Sequence, residues 1–207
     1  MTTSRYPIPA ATFRCEIEVK HSHFIATIEP TDTPDAALSF ISRIKQEFPD
    51  ATHNCWAYLI GPPGNTDRIG LSDDGEPHGV AGKPMLTTIQ HGGIGDITVV
   101  VTRYFGGTKL GMGGMVKAYT LAVKTALEQQ TVIEKINWIK LSIKIDYSLL
   151  DNIERLLPEF EVDLIDKQFT DQICLNLKLP EENFTRFQTR LTDLSSGQIE
   201  FSTGEKF

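Results

Sequence analysis

Val99-Val100-Val101-Thr102-Arg103-Tyr104-Phe105-Gly106-Gly107-Thr108-Lys109-Leu110-Gly111-Met112-Gly113-Gly114-Met115-Val116-Lys117-Ala118-Tyr119 is the stretch on which the reading of this chain turns. It opens in a nearly continuous β-branched run, so Asp96–Tyr104 is expected to be a strand buried on both faces. Five glycines follow, at 106, 107, 111, 113 and 114. Such residues permit positive φ and close approach of the backbone to a ligand. A helix is expected from about Gly114 to Gln129, with Val116, Tyr119, Leu121, Val123 and Leu127 as its apolar positions. A buried strand feeding a glycine loop and a helix puts both kinds of element in this stretch.

Charge gives the same stretch a chemical bias. No Asp or Glu occurs between Ile97 and Leu127, whereas Arg103, Lys109, Lys117 and Lys124 do, in a chain of net charge −7. Lys117 and Lys124 are two turns apart and lie near one helix face. Free N–H groups at a helix start add partial positive charge, so Gly106, Gly107, Gly111, Gly113 and Gly114 are candidates for an anion cradle with these cations. Tyr104, Phe105 and Tyr119 are candidate stacking surfaces of the kind found in single-stranded nucleic-acid sites. The alternative is that the glycines make tight turns, the aromatics fill the core and the lysines solvate a helix. Neither the GxxxxGKS/T nor the GxGxxG spacing is present, so no nucleotide cofactor is implied.

Working outward, Ser72-Asp73-Asp74-Gly75-Glu76-Pro77-His78-Gly79-Val80-Ala81-Gly82-Lys83-Pro84 is the second informative segment. Asp74, Glu76 and His78 are candidate catalytic groups, as acid, base or oxygen ligands to a cation, with Lys83 nearby. The spacing is not that of an EF-hand, and no metal is assigned. Asp-Gly and Glu-Pro are also ordinary turn pairs, and acids here suit the cap of the next helix. His53 and Cys55 fall on one face of a strand, which admits a Cys–His reading or a plain half-buried pair.

The remaining elements divide the chain. Strands are expected at Phe13–Val19, Phe24–Ile28, Asn54–Ile60 and Arg68–Leu71, with helices at Pro34–Phe48 and Lys83–Gln90. Fourteen of the 16 glycines lie between Gly61 and Gly114. Beyond Asn137 the pattern becomes β-α-β-β-α-β, the order of a ferredoxin-like module. Domains are therefore expected at 1–135 and 136–207. Residues 137–207 carry eight bases and 13 acids, which disfavours phosphate contact there.

The whole chain has 207 residues, a pI near 5.2 and 40% hydrophobic residues. Disorder and a wholly basic nucleic-acid coat are both excluded. Three separated cysteines without a CxxC suggest a reduced cytoplasmic protein rather than a disulfide or zinc framework. No apolar stretch approaches a membrane span, and the N-terminal residues lack the apolar region of a secretion signal.

Asp74-Gly75-Glu76-Pro77 with Ala81-Gly82-Lys83-Pro84-Met85-Leu86, and Val99 to Gly107 with Lys109-Leu110-Gly111-Met112-Gly113-Gly114 and Lys117-Ala118-Tyr119, resemble the signature of the IMPACT family. The resemblance implies an α+β chain, with an N-terminal domain similar to ribosomal protein S5 domain 2 and a C-terminal ferredoxin-like domain similar to domain V of elongation factor G. By analogy it implies a non-enzymatic, translation-linked protein that contacts RNA or the ribosome, with no cofactor. Eukaryotic members restrain an initiation-factor kinase with an additional RWD domain. The residues before Phe13 are too few to form it, so that mechanism is not expected to carry over. Two other readings stay open: a protein-interaction module, and an enzyme acting on a small anionic ligand.

Overall fold

A computed structural model describes residues 5–203, which divide into two compact units between Lys135 and Ile136. In the first, strands β1 (Arg5–Pro9), β2 (Phe13–Val19) and β3 (Ser22–Pro30) lead into helix α1 (Pro34–Glu47). Then come β4 (His53–Leu59), β5 (Ile69–Ser72), α2 (Gly82–His91), β6 (Ile97–Tyr104), α3 (Gly111–Gln129) and β7 (Val132–Ile136). Five strands form one sheet in the order β2-β3-β6-β4-β5, with every neighbouring pair antiparallel. Strands β3 and β4 are thus parallel to each other, joined through α1, and separated by β6, which arrives later in the chain.

Alternation along β6 assigns its two faces. Ile97, Val99 and Val101 join Phe24, Ala26, Ala57, Met85, Met115 and Tyr119 in the main core under α2 and α3. Val100 faces the other way, against Phe40, Ile41 and Ile44 of α1. The start of α1 is set by Thr33, whose hydroxyl accepts the Ala36 N–H at 3.2 Å, and by Pro34 in the first turn. Along α3, Met115, Ala118, Tyr119, Ala122, Val123 and Ala126 keep a helical spacing on the buried face.

Two features depart from the sequence reading. Helix α3 begins at Gly111 rather than Gly114, so Gly111, Gly113 and Gly114 belong to its opening turns and the loop proper is Phe105–Leu110. Glycine's low helix propensity, which set the later start, is outweighed by burial of the α3 face. Strands β1 and β7 were not foreseen and pair as a separate two-stranded sheet. Pro7 and Pro9 mask the strand pattern of β1 but suit so short an edge. Asp96 anchors this ribbon: it accepts from Tyr6 Oη at 2.7 Å, Lys135 Nζ at 2.5 Å and the Gly61 amide at 2.6 Å.

The second unit runs β8 (Trp138–Ile145), α4 (Leu150–Leu156), β9 (Asp163–Phe169), β10 (Ile173–Pro180), α5 (Phe184–Leu194) and β11 (Glu200–Thr203). Its sheet order, β11-β8-β10-β9, is wholly antiparallel, the ferredoxin-like arrangement. Leu141, Ile143, Leu175, Leu177, Ile153, Phe187 and Leu191 fill one core. The α+β class is as expected, with an N-terminal part like ribosomal protein S5 domain 2 and a ferredoxin-like C-terminal part.

Candidate functional site

The loop between β5 and α2 is built by its acids. The Asp73 carboxylate accepts the amides of Gly79 at 2.8 Å, Ala81 at 3.0 Å and Gly82 at 2.9 Å, which closes the loop and satisfies donors at the start of α2. Asp74 takes positive φ, 45°, followed by Gly75 at 87°. Its carboxylate binds Lys45 Nζ of α1 at 2.5 Å and the Asn54 amide at 2.7 Å. His53 Nδ1 donates to the Asp74 carbonyl at 2.8 Å, leaving Nε2 3.7 Å from Glu76 Oε2.

Held this way, Glu76 points inward. Its side chain is 3% exposed and that of Arg103 7%, and Arg103 Nη1 donates to Glu76 Oε1 at 2.5 Å. The Tyr119 hydroxyl donates to the same oxygen at 2.9 Å. Arg103 is the next inward position of β6 after Val101, and its guanidinium lies 5.6 Å from the Phe24 ring centre and 5.8 Å from that of Phe105. Its Nε is buried and has no hydrogen-bond partner.

Above the pair lies a cavity of about 360 Å³, lined among others by Glu76, Arg103, Phe105, Lys109, Met112 and Met115. The two motifs, distant in sequence, meet here. The loop is pinned at its base: Phe105 N–H donates to Thr52 Oγ1 at 3.2 Å and Gly106 N–H to Ser22 Oγ at 3.1 Å. A Cβ on Gly106 would stand 1.9 Å from the His21 carbonyl. Gly107 and Gly111 have φ of 82° and 71°, so the backbone between them turns where other residues would be strained.

The structure separates the sequence-stretch candidates into distinct roles. Lys109 and Lys117 are exposed, as is Lys124, which faces Glu128 at 3.7 Å. Gly107, Gly111 and Gly113 are exposed beside them, with Gly114 half-buried. Arg103 is not a surface cation, because Glu76 and two aromatic rings enclose it. Tyr119 is no stacking platform, since it lies in the core edge-on to Phe24 at 5.3 Å. Tyr104 is half-buried and donates to Asp50 at 2.8 Å, which leaves Phe105 as the exposed aromatic of the three.

Asp74, Glu76 and His78 do not converge on one point. Asp74 is held by Lys45, Glu76 by Arg103 rather than Lys83, and His78 is fully exposed with Nδ1 3.8 Å from Asp73. Among the described residues no group of three His, Cys, Asp or Glu side chains is arranged to hold a metal ion. Burial pushes the Cys55 thiol up to about 12, although the Tyr119 hydrogen bond works against that rise. A thiol so protonated is not a nucleophile at neutral pH. Thr52, Lys45, Met112 and Met115 were not singled out from the sequence. Nothing local marks Lys45 or Thr52, while the methionines stood inside the quoted motif.

The loop acids set a pH dependence. Burial favours the protonated form of Asp73, but its three amide donors outweigh this and hold the carboxyl below its ordinary value. Asp74 is lowered likewise, with Lys45 and the Asn54 amide outweighing its burial. A depressed carboxyl contributes stability that is present above the unfolded value, about 3.9, and is lost as pH falls through the folded value. Urea midpoints of the native protein should therefore fall below about pH 4, and those of Asp73→Asn should start lower and fall less steeply. Parallel curves for the two proteins would refute this account of the loop.

Comparison with known proteins follows the same division. A family model described as the Impact N-terminal domain matches residues 20–127, and a domain of unknown function (DUF1949) matches residues 143–198. The chain is 39% identical over 193 residues to IMPACT family member YigZ of Escherichia coli (strain K12), covering 93% of this chain and 95% of that protein. It is 35% identical over 190 residues to IMPACT family member YvyE of Bacillus subtilis (strain 168), covering 92% and 87%. A solved structure titled "Crystal structure of an hypothetical protein" matches with a TM-score of 0.68 at 38% identity, covering 98% of each chain. No helix among the described residues is long and apolar enough to cross a membrane.

Proposed function

The chain belongs to the IMPACT family, and from that premise we propose that it is a translation-linked, non-enzymatic protein that binds single-stranded RNA or the ribosome. The contact surface is the Phe105–Leu110 loop with the start of α3. The observation that carries this reading is a segment without a single acid that exposes Lys109 and Phe105 at the cavity and Lys117 further along α3. Cations that hold phosphate and a ring that holds a base are the two elements of sequence-tolerant single-strand binding. The acids of the neighbouring loop support the same conclusion, since Asp73, Asp74 and Glu76 are engaged in holding the site together.

Co-sedimentation with ribosomes and binding to a short single-stranded RNA test it, each at low and moderate salt. Affinity is expected to fall steeply with salt as counterions are displaced from phosphate. A Lys109→Glu/Lys117→Glu variant should fold normally and bind at least tenfold more weakly, with a salt slope shallower by about two. Absence of binding at every salt concentration would overturn the proposal.

A second reading attaches to the ferredoxin-like unit. Tyr147, Leu164, Ile165 and Phe169 are exposed at or near edge strand β9, in the acidic part of the chain. That composition suits a protein partner rather than phosphate, and it predicts partner capture that survives nuclease and is lost on Ile165→Lys/Phe169→Lys.

A further inference from the structure

We infer that the cavity beneath Phe105 receives one unstacked base of single-stranded RNA, its edge toward Arg103 and Glu76 and its phosphate against Lys109. The inference rests on the RNA reading above and adds what the cavity itself holds.

Size and walls come first. A volume of about 360 Å³ lies in the range of small-molecule sites. Phe105, on the pinned loop, is 48% exposed and Met112, in the first turn of α3, is 64% exposed, and neither large apolar side chain belongs to the core. A flat ring would cover both, stacking on Phe105 and meeting the soft thioethers of Met112 and Met115 at its edge.

The floor then distinguishes a base from a bare anion. Glu76 lines the cavity and its carboxylate offsets the charge of Arg103, so the floor holds no free cation for a phosphate, which belongs at Lys109 on the rim. Arg103 lines the same floor, and its buried Nε–H has no acceptor within the protein. A buried donor left unsatisfied is uncommon and calls for an explanation. Every nucleobase carries an adjacent donor and acceptor on its pairing edge. A guanidinium beside a carboxylate matches that pair from either face of the ring, so the site is tolerant of base identity. The energetic preference comes from stacking and burial, not from sequence readout.

The test compares two oligoribonucleotides of equal length and phosphate number, one with bases and one abasic, by fluorescence anisotropy at one salt concentration. The native protein should bind the base-bearing strand about tenfold more tightly. Phe105→Ala should lose that preference while keeping its affinity for the abasic strand, and Phe105→Trp should keep the preference. Equal binding of the two strands by the native protein, or an unchanged ratio in Phe105→Ala, would overturn the base pocket while leaving RNA binding intact. Binding of neither strand would overturn both.

Discussion

Replacing Glu76 with alanine is expected to destabilise the protein by about 3–5 kcal/mol, because it strands the Arg103 guanidinium in the core without its counter-charge. Both side chains are almost wholly enclosed, and their contact at 2.5 Å is reinforced by the Tyr119 hydroxyl. At 7% exposure Arg103 meets little water, and among the described residues Glu76 is the acid paired with it. Arg103→Met should be comparably damaging, for the mirror reason that it leaves Glu76 buried and unpaired. The double variant Glu76→Leu/Arg103→Met removes both charges together and should recover most of the loss, since an apolar pair of similar volume often replaces a buried ion pair without penalty. Urea midpoints of the four proteins measure this directly. A loss below about 1 kcal/mol for Glu76→Ala would mean that the pair behaves as a solvated surface bridge. The cycle also separates the roles of the pair. A double variant that folds but shows no preference for base-bearing RNA would locate Arg103 and Glu76 in recognition as well as in the core.

Gly106→Ala is the second large effect, and its origin is steric. A single added carbon would stand 1.9 Å from the His21 carbonyl carbon and oxygen and 2.4 Å from the Ser22 nitrogen, all backbone atoms that cannot rotate away. Either the end of β6 or the turn between β2 and β3 must move, breaking the Gly106 amide's bond to Ser22. Overpacking costs about 1–3 kcal/mol and occasionally more, and a clash with fixed backbone atoms belongs at the upper end. The contrast with Gly113 makes the test specific, because a Cβ there meets nothing within 4 Å. Gly113→Ala sits in the first turns of α3 and should be neutral or slightly stabilising through improved helix propensity. Thermal melts of the two variants give the answer. Equal melting temperatures would show that the loop base is not held against the hairpin.

Much of this architecture was legible in the sequence, for identifiable reasons. The β6 run reads as a buried strand because it is short and β-branched, and the second unit alternates cleanly enough to give its β-α-β-β-α-β order. The two segments that carry the IMPACT resemblance, distant in sequence, are those that meet at the cavity. What could not be read was which face each member occupies. Arg103 and Lys109 are both cations of one basic tract, yet one is sealed against Glu76 and the other is exposed. That difference depends on the partner that a distant loop delivers, which local pattern does not encode. Tyr119 shows the same limit, since helix periodicity placed it on an apolar face that an aromatic platform was also asked to serve. Helix α3 began early because packing outweighed the glycines, and β1 was hidden by its prolines. The acids before Gly82 were readable as a cap for α2, but not which of them closes the loop or how many amides it gathers.

The position of β6 has a consequence for how the protein is made. Strands β2 to β5 leave the ribosome first, yet β3 and β4 share no edge and must both wait for a strand that follows them in the chain. Until residue 104 emerges, two hairpins carry open inner edges and half of the central core is uncovered. Such long-range closure is slow and leaves aggregation-prone surface exposed while synthesis continues. The Glu76 carboxylate is in place before Arg103 exists to meet it, so the growing chain carries an acid destined for the interior with no partner. Commitment to the native sheet and charge neutralisation of its core are therefore a single late event. A ribosome stalled before β6 should hold a protease-sensitive nascent chain, and one stalled after α3 a resistant one.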